Sequence, residues 1–146
     1  GFENVVTYIN SGNLAFDVGS DAVEDALVST IEPAIETNFG KQIPVMIREQ
    51  TSIDQIVANN PFEGEFDSHK EMHVLFLREE MPAEKIEQLL AAAPEGERFA
   101  VIGREIFCHL PSGVADSLLG KGFIEKKLKV AVTGRNWRTV EKLVSL

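Results

Sequence analysis

The chain holds one cysteine, Cys108, in 146 residues. An intramolecular disulfide and a thiolate metal cluster are therefore both excluded, which fits a reducing compartment. Long apolar runs are missing too. A stretch such as Met72-His73-Val74-Leu75-Phe76-Leu77 falls far short of the roughly 20 residues that span a bilayer, and no signal-peptide pattern is present. The expectation is a soluble, cytoplasmic protein with no membrane contact. The first residue is Gly1 rather than Met, which suggests a fragment or a trimmed product.

Catalytic signatures are equally scarce. His69 and His73 stand four apart, but Lys70-Glu71-Met72 between them does not make the His-Glu-x-x-His zinc motif, and the segment reads as a linker entering a strand. Cys108 and His109 are neighbours, yet adjacent strand residues point to opposite faces; Cys108 falls with Ile106 and Leu110 on a core face. Glu79-Glu80 and the pair Glu95 and Glu97 lie in turns, where solvated charge is the default. Gly120-Lys121-Gly122 lacks the spacing of a phosphate loop. No catalytic residue, metal site or cofactor is assigned, and the balance leans away from an enzyme.

What the chain does have is charge and pattern. The net charge is −9, unevenly spread. Seven of the fourteen basic residues lie between Lys121 and Lys142 against Glu125 and Glu141, a local +5 beside −14 elsewhere. Such a patch could attract phosphate, since a distant acidic lobe is screened beyond about 8 Å at physiological salt. A solvated Lys- and Arg-bearing helix face explains it equally simply.

Apolar alternation predicts a strand through Val5, Thr7 and Ile9, a turn at Ser11-Gly12, and a second strand through Leu14, Phe16 and Val18. Asp21 ahead of Glu24 reads as a capping box, opening a helix with Val23, Leu27, Ile31, Ala34 and Ile35 at helical spacing. Pro33 inside it predicts a kink, or else two shorter helices. A strand over 43–48 and a short helix opened by Ser52 and ended at Asn60-Pro61 complete the half. The composition then turns polar over 62–71, the candidate linker.

Beyond it come a strand over 72–78, a helix over 82–93, strands over 98–102 and 105–110 joined by Gly103-Arg104, a helix, a strand over 128–133 and a last helix. This β-α-β-β-α-β order predicts an α+β fold, with an antiparallel sheet and both helices on one face in the ferredoxin-like manner. Residues 1–61, read as β-β-α-β, look like the same unit without its first strand and helix. The expected domains are thus 1–61, a linker over 62–71, and 72–146.

The run Val6-Thr7-Tyr8-Ile9-Asn10-Ser11-Gly12-Asn13, the triplet Asn60-Pro61-Phe62, the helix end Glu125-Lys126-Lys127-Leu128 and the closing 133–143 segment together resemble the uncharacterised family called domain of unknown function 1697. The resemblance implies two ferredoxin-like halves, with a strand and helix ahead of the Thr-Tyr-Ile motif, and it implies no activity. Two departures stand out. Ser117-Leu118-Leu119 replaces the family's Ser-Lys-Leu, which removes one anion contact, and Gly134 stands where a Thr is usual.

Thr133 to Thr139 gathers the most binding-capable chemistry. A strand running through Gly134 and Arg135 into a helix capped by Asn136 would set free N–H groups beside the guanidinium groups of Arg135 and Arg138, a candidate anion site. Trp137, Val140 and Val144 share a helix face, so Trp137 reads as a core anchor, with base stacking as the alternative. Tyr8, Asn10, Ser11 and Asn13 form a second polar cluster, explained either by turn chemistry or by a site shared with the Arg-Asn-Trp turn.

Three functions fit these residues. The favoured one is a non-enzymatic binding or assembly module that meets a protein partner or itself. The others are a nucleotide or RNA binder using the basic segment, and an enzyme on a phosphorylated or acidic metabolite with Arg135 as its clamp. A first half without its central strand should show a rearranged N-terminal half, an intermolecular contact filling the gap, or reduced stability.

Overall fold

The computed structural model describes residues 2–9 and 12–146. It is an α+β protein with two antiparallel sheets, one of two strands and one of four. The small sheet pairs β1 (Glu3–Tyr8) with β2 (Asn13–Asp17). Helices α1 (Glu24–Phe39) and α2 (Gln50–Ala58) follow. The large sheet contains β3 (Met72–Leu77), β4 (Arg98–Ile102), β5 (Glu105–His109) and β6 (Val132–Asn136), in the order β4-β5-β3-β6. Helix α3 (Ala83–Ala92) links β3 to β4, and α4 (Trp137–Leu143) closes the chain.

Strand β3 organises the core because it is apolar on both faces and pairs with β5 on one side and β6 on the other. Leu75 and Leu77 pack with Ile106 and Cys108 against Leu89 of α3 and against Ile124 and Leu128 of a single π-helical turn, Ile124–Leu128. The alternate residues Met72, Val74 and Phe76 face Ile53 and Ile56 of α2 and Trp137 and Val140 of α4. Helical segments therefore cover both faces of this sheet. Cys108 is wholly buried among Ile106 and Leu110, and Trp137 is a core residue, as their spacing predicts. Gly103, at φ +59°, makes the two-residue link between β4 and β5 at a backbone angle that costs other residues strain.

The first half departs most from the expected pattern. Residues 43–48 form no strand; Val45 instead donates its N–H to the Glu32 carboxylate and accepts from Arg78 with its carbonyl. The β-β-α-β half is thus β-β-α among the described residues, because this segment's ladder groups are met by side chains rather than by a neighbouring strand. Helix α1 runs unbroken through Pro33, and its N-cap is Val23, without a side-chain cap from Asp21. Helix α2 starts at Gln50, ahead of Ser52, with no capping side chain.

Two further corrections fall in the second half. The helix expected between β5 and β6 is only the π-helical turn, ended by Lys129 in the left-handed region at φ +57°. The strand expected over 128–133 is displaced to Val132–Asn136, since Leu128 is needed in the core beneath the sheet. The 62–71 segment is packed rather than extended: Phe62 is buried, and His69–Glu71 form one 3-10 turn capped by Ser68.

Candidate functional site

The displacement of β6 changes the candidate anion site. Gly134 and Arg135 lie within the strand, and a Cβ on Gly134 would come within 2.9 Å of the Leu75 side chain. The glycine therefore allows close packing against β3, its register partner. Asn136 ends the strand and caps α4, its Oδ1 accepting from Thr139 N–H at 3.0 Å. Arg138 is exposed.

Arg135 joins this turn to the first hairpin. Its Nε donates to Asn13 Oδ1 at 2.7 Å and its Nη2 to the Gly12 carbonyl at 3.3 Å, while Nη1 donates to the Gly134 carbonyl at 2.7 Å. Asn13 in turn donates from Nδ2 to the Tyr8 carbonyl at 3.0 Å and is buried. Lys142 Nζ stands 5.9 Å from the centre of the Tyr8 ring. Tyr8, Asn13 and Arg135, from the two sequence clusters, thus share one junction, whereas Asn136 caps its own helix. Asn10 and Ser11 lie outside the described residues. Burial lowers the Arg135 pKa from its usual 12.5, as expected where water solvates the guanidinium less well.

A second polar assembly joins α1 and the 43–48 segment to the large sheet. Arg48 is almost fully buried, donates to Glu105 at 2.9 Å and to the Ile47 and Arg104 carbonyls, and lies 5.6 Å from the Phe76 ring centre. Arg104 grips Glu24 with both terminal nitrogens at 2.7 and 3.2 Å, and Arg78 reaches Glu32 at 2.7 Å. Burial lowers the Arg48 pKa against the raising effect of Glu105; the Glu24 hydrogen bond raises that of Arg104. For Glu32, burial pushes the pKa up, but the Arg78 and Val45 hydrogen bonds and the Arg78 charge together hold it below 4.5. These pairs join residues 46 to 80 positions apart. Nothing in local spacing announces them; the only sequence signal is that each is an Arg or Glu beside an element end.

A third group lies where Phe62 meets β4 and β5. Arg98 Nη2 stands 3.1 Å from His109 Nδ1. Arginine can only donate, so Nδ1 accepts and the ring carries its proton on Nε2, 3.8 Å from Glu71 Oε1. Arg98 also reaches Glu65 at 2.9 Å and lies 4.8 Å from the Phe62 ring centre. The arrangement clamps residues 60–71 onto the sheet.

Cys108, the one thiol, is unsuited to attack. Burial raises its pKa well above 9.0, with Glu97 adding to the effect. A shallow, open groove of about 400 Å³ is lined by Pro44, Glu125, Lys129, Val130, Ala131 and Val132, and none of the predicted site residues reaches it.

Apolar exposure is the most uneven surface property. Nine of the twelve large apolar side chains exposed among the described residues fall between Phe2 and Ile43; Phe39 is 72 % exposed and Val23 60 %. In α1 only Val28 is buried, so the ion pairs to Arg78 and Arg104 are prominent in holding the helix. The same region carries seven carboxylates and no Lys or Arg over residues 1–40.

The profile of a family described as "Protein of unknown function (DUF1697)" matches residues 1–107. No curated protein matches the chain. Among solved structures, a conserved bacterial protein from Streptococcus pneumoniae is similar with a TM-score of 0.75 at 19% identity, over 99% of this chain and 81% of that one. At that identity the likeness concerns the fold alone. No helix among the described residues is long and apolar enough to cross a membrane.

Proposed function

Because the chain belongs to the DUF1697 family of unknown function, kinship brings it no activity, and we propose that it is a non-enzymatic binding or assembly module whose docking surface is the β1–β2 hairpin with α1. The carrying observation is the concentration of exposed apolar side chains between Phe2 and Ile43. Contiguous apolar patches on a soluble protein mark contact surfaces, because leaving them in water forgoes about 25 cal/mol per Å² of burial. A cytoplasmic setting suits the buried thiol. We read the large sheet as a ferredoxin-like half, with the π-helical turn in place of its second helix; the order β4-β5-β3-β6 supports that reading.

Sedimentation velocity of the chain and of its Val23→Ser/Phe39→Ser variant tests the function. Association with itself or a protein partner should weaken in the variant, whose substitutions lie on exposed positions and should leave the fold intact. An unchanged distribution of species contradicts the reading.

A second reading is favoured by the contact of Arg135 with Asn13 and Gly12, beside exposed Arg138 and near Lys142. On this reading Tyr8, Asn13, Gly134, Arg135, Asn136 and Arg138 border a site for a nucleotide or RNA phosphate. Binding of single-stranded RNA at low salt that falls on Arg138→Ala supports it; no binding removes it.

A further inference from the structure

We infer that β2 is a pairing edge for a second copy of the chain, forming one continuous four-stranded sheet across a two-fold axis centred on Ala15. The inference rests on the assembly reading and specifies its partner and geometry. Each strand of the two-stranded sheet has one edge unpaired within that sheet, and the two edges differ. The β1 edge is blunted: its register shifts between Glu3 and Val6, and Asn4 sits in the left-handed region at φ +51°. Such irregularity is how natural sheets prevent edge-to-edge pairing. Strand β2 has no such residue, and every second residue of an antiparallel strand turns its N–H and C=O away from its existing neighbour.

The side chains of β2 are self-complementary in that register. Ala15 meets the partner's Ala15, small enough for close approach. Leu14, 51 % exposed, meets the partner's Phe16, an apolar cross-strand pair. Asp17 meets the partner's Asn13, a residue whose Oδ1 is bonded to Arg135 within its own copy. The carboxylate of one copy is thereby brought beside the guanidinium of the other, twice across the axis. These two contacts oppose the repulsion between two acidic N-terminal regions, so salt that screens the repulsion should strengthen association.

Oxidative crosslinking tests the geometry. Antiparallel Cα spacings of about 4.5–5.5 Å fall within disulfide range, and Cys108 is too deeply buried to compete. Ala15→Cys should give a covalent dimer, Thr7→Cys on β1 should not, and Asp17→Arg should weaken association of the unmodified chain roughly tenfold. Monomeric mass at every concentration and salt overturns the inference, whether β2 is bare or covered by residues preceding Phe2. So does a dimer that Ala15→Cys fails to crosslink. If the Val23→Ser/Phe39→Ser variant still loses a partner in that case, the assembly reading survives; if it loses nothing, both fail.

Discussion

Arg48 shows how much one side chain can hold here. Its side chain is 4 % exposed, and it satisfies Glu105 together with backbone carbonyls from two separate turns. Removing it strands a carboxylate and those carbonyls in a poorly solvated place, so Arg48→Ala should cost about 3 kcal/mol in urea unfolding. Arg78→Ala should cost less than about 1 kcal/mol, because Arg78 and Glu32 are 40 % and 29 % exposed. Equal losses would mean that burial does not rank these pairs. His73 adds a pH dependence. Burial and then His69 lower its pKa from 6.5, so the folded state favours the neutral ring. Its contribution is complete above about pH 6.5 and is lost as pH falls through the lowered value. Glu32, lowered from 4.5, adds a second loss at more acid pH by the same sign. Urea titrations should show stability falling below pH 6.5, and His73→Leu should flatten that first limb.

At the scale of elements, α4 is where the sequence was most readable. Asn136 caps it, Trp137 and Val140 bury themselves at helical spacing, and these signals are local. Asn136→Ala should cost about 1 kcal/mol through the lost cap, and Trp137→Ala about 3–5 kcal/mol through the cavity. Thermal unfolding should rank them in that order; a Trp137 substitution tolerated as well as the cap would remove the core role. Other elements were hidden for physical reasons. Residues 43–48 have the apolar content of a strand, but a strand needs a neighbour, and local pattern cannot report which neighbours exist. The π-helical turn looked like an ordinary helix because Ile124 and Leu128 are spaced as α-helical core residues. The junction of Arg135 with Asn13 spans 122 positions, so each cluster was legible alone while their meeting was not.

The whole molecule is two unequal parts. Its large sheet is packed on both faces around β3, whereas the hairpin and α1 expose the apolar side chains that a core would normally claim. Ion pairs from Arg78 and Arg104 tether α1, and Arg135 tethers the hairpin, so the acidic N-terminal region is held in place while its apolar surface stays available. The central claim is that this surface assembles. Amide hydrogen exchange over 13–17 and 24–39, followed as protein concentration rises, examines it most directly, because backbone amides there are protected only when the surface is covered. Protection rising with concentration in these two segments, while β3 and β5 stay constant, is the predicted result. Exchange rates identical at all concentrations, with and without added salt, would contradict it.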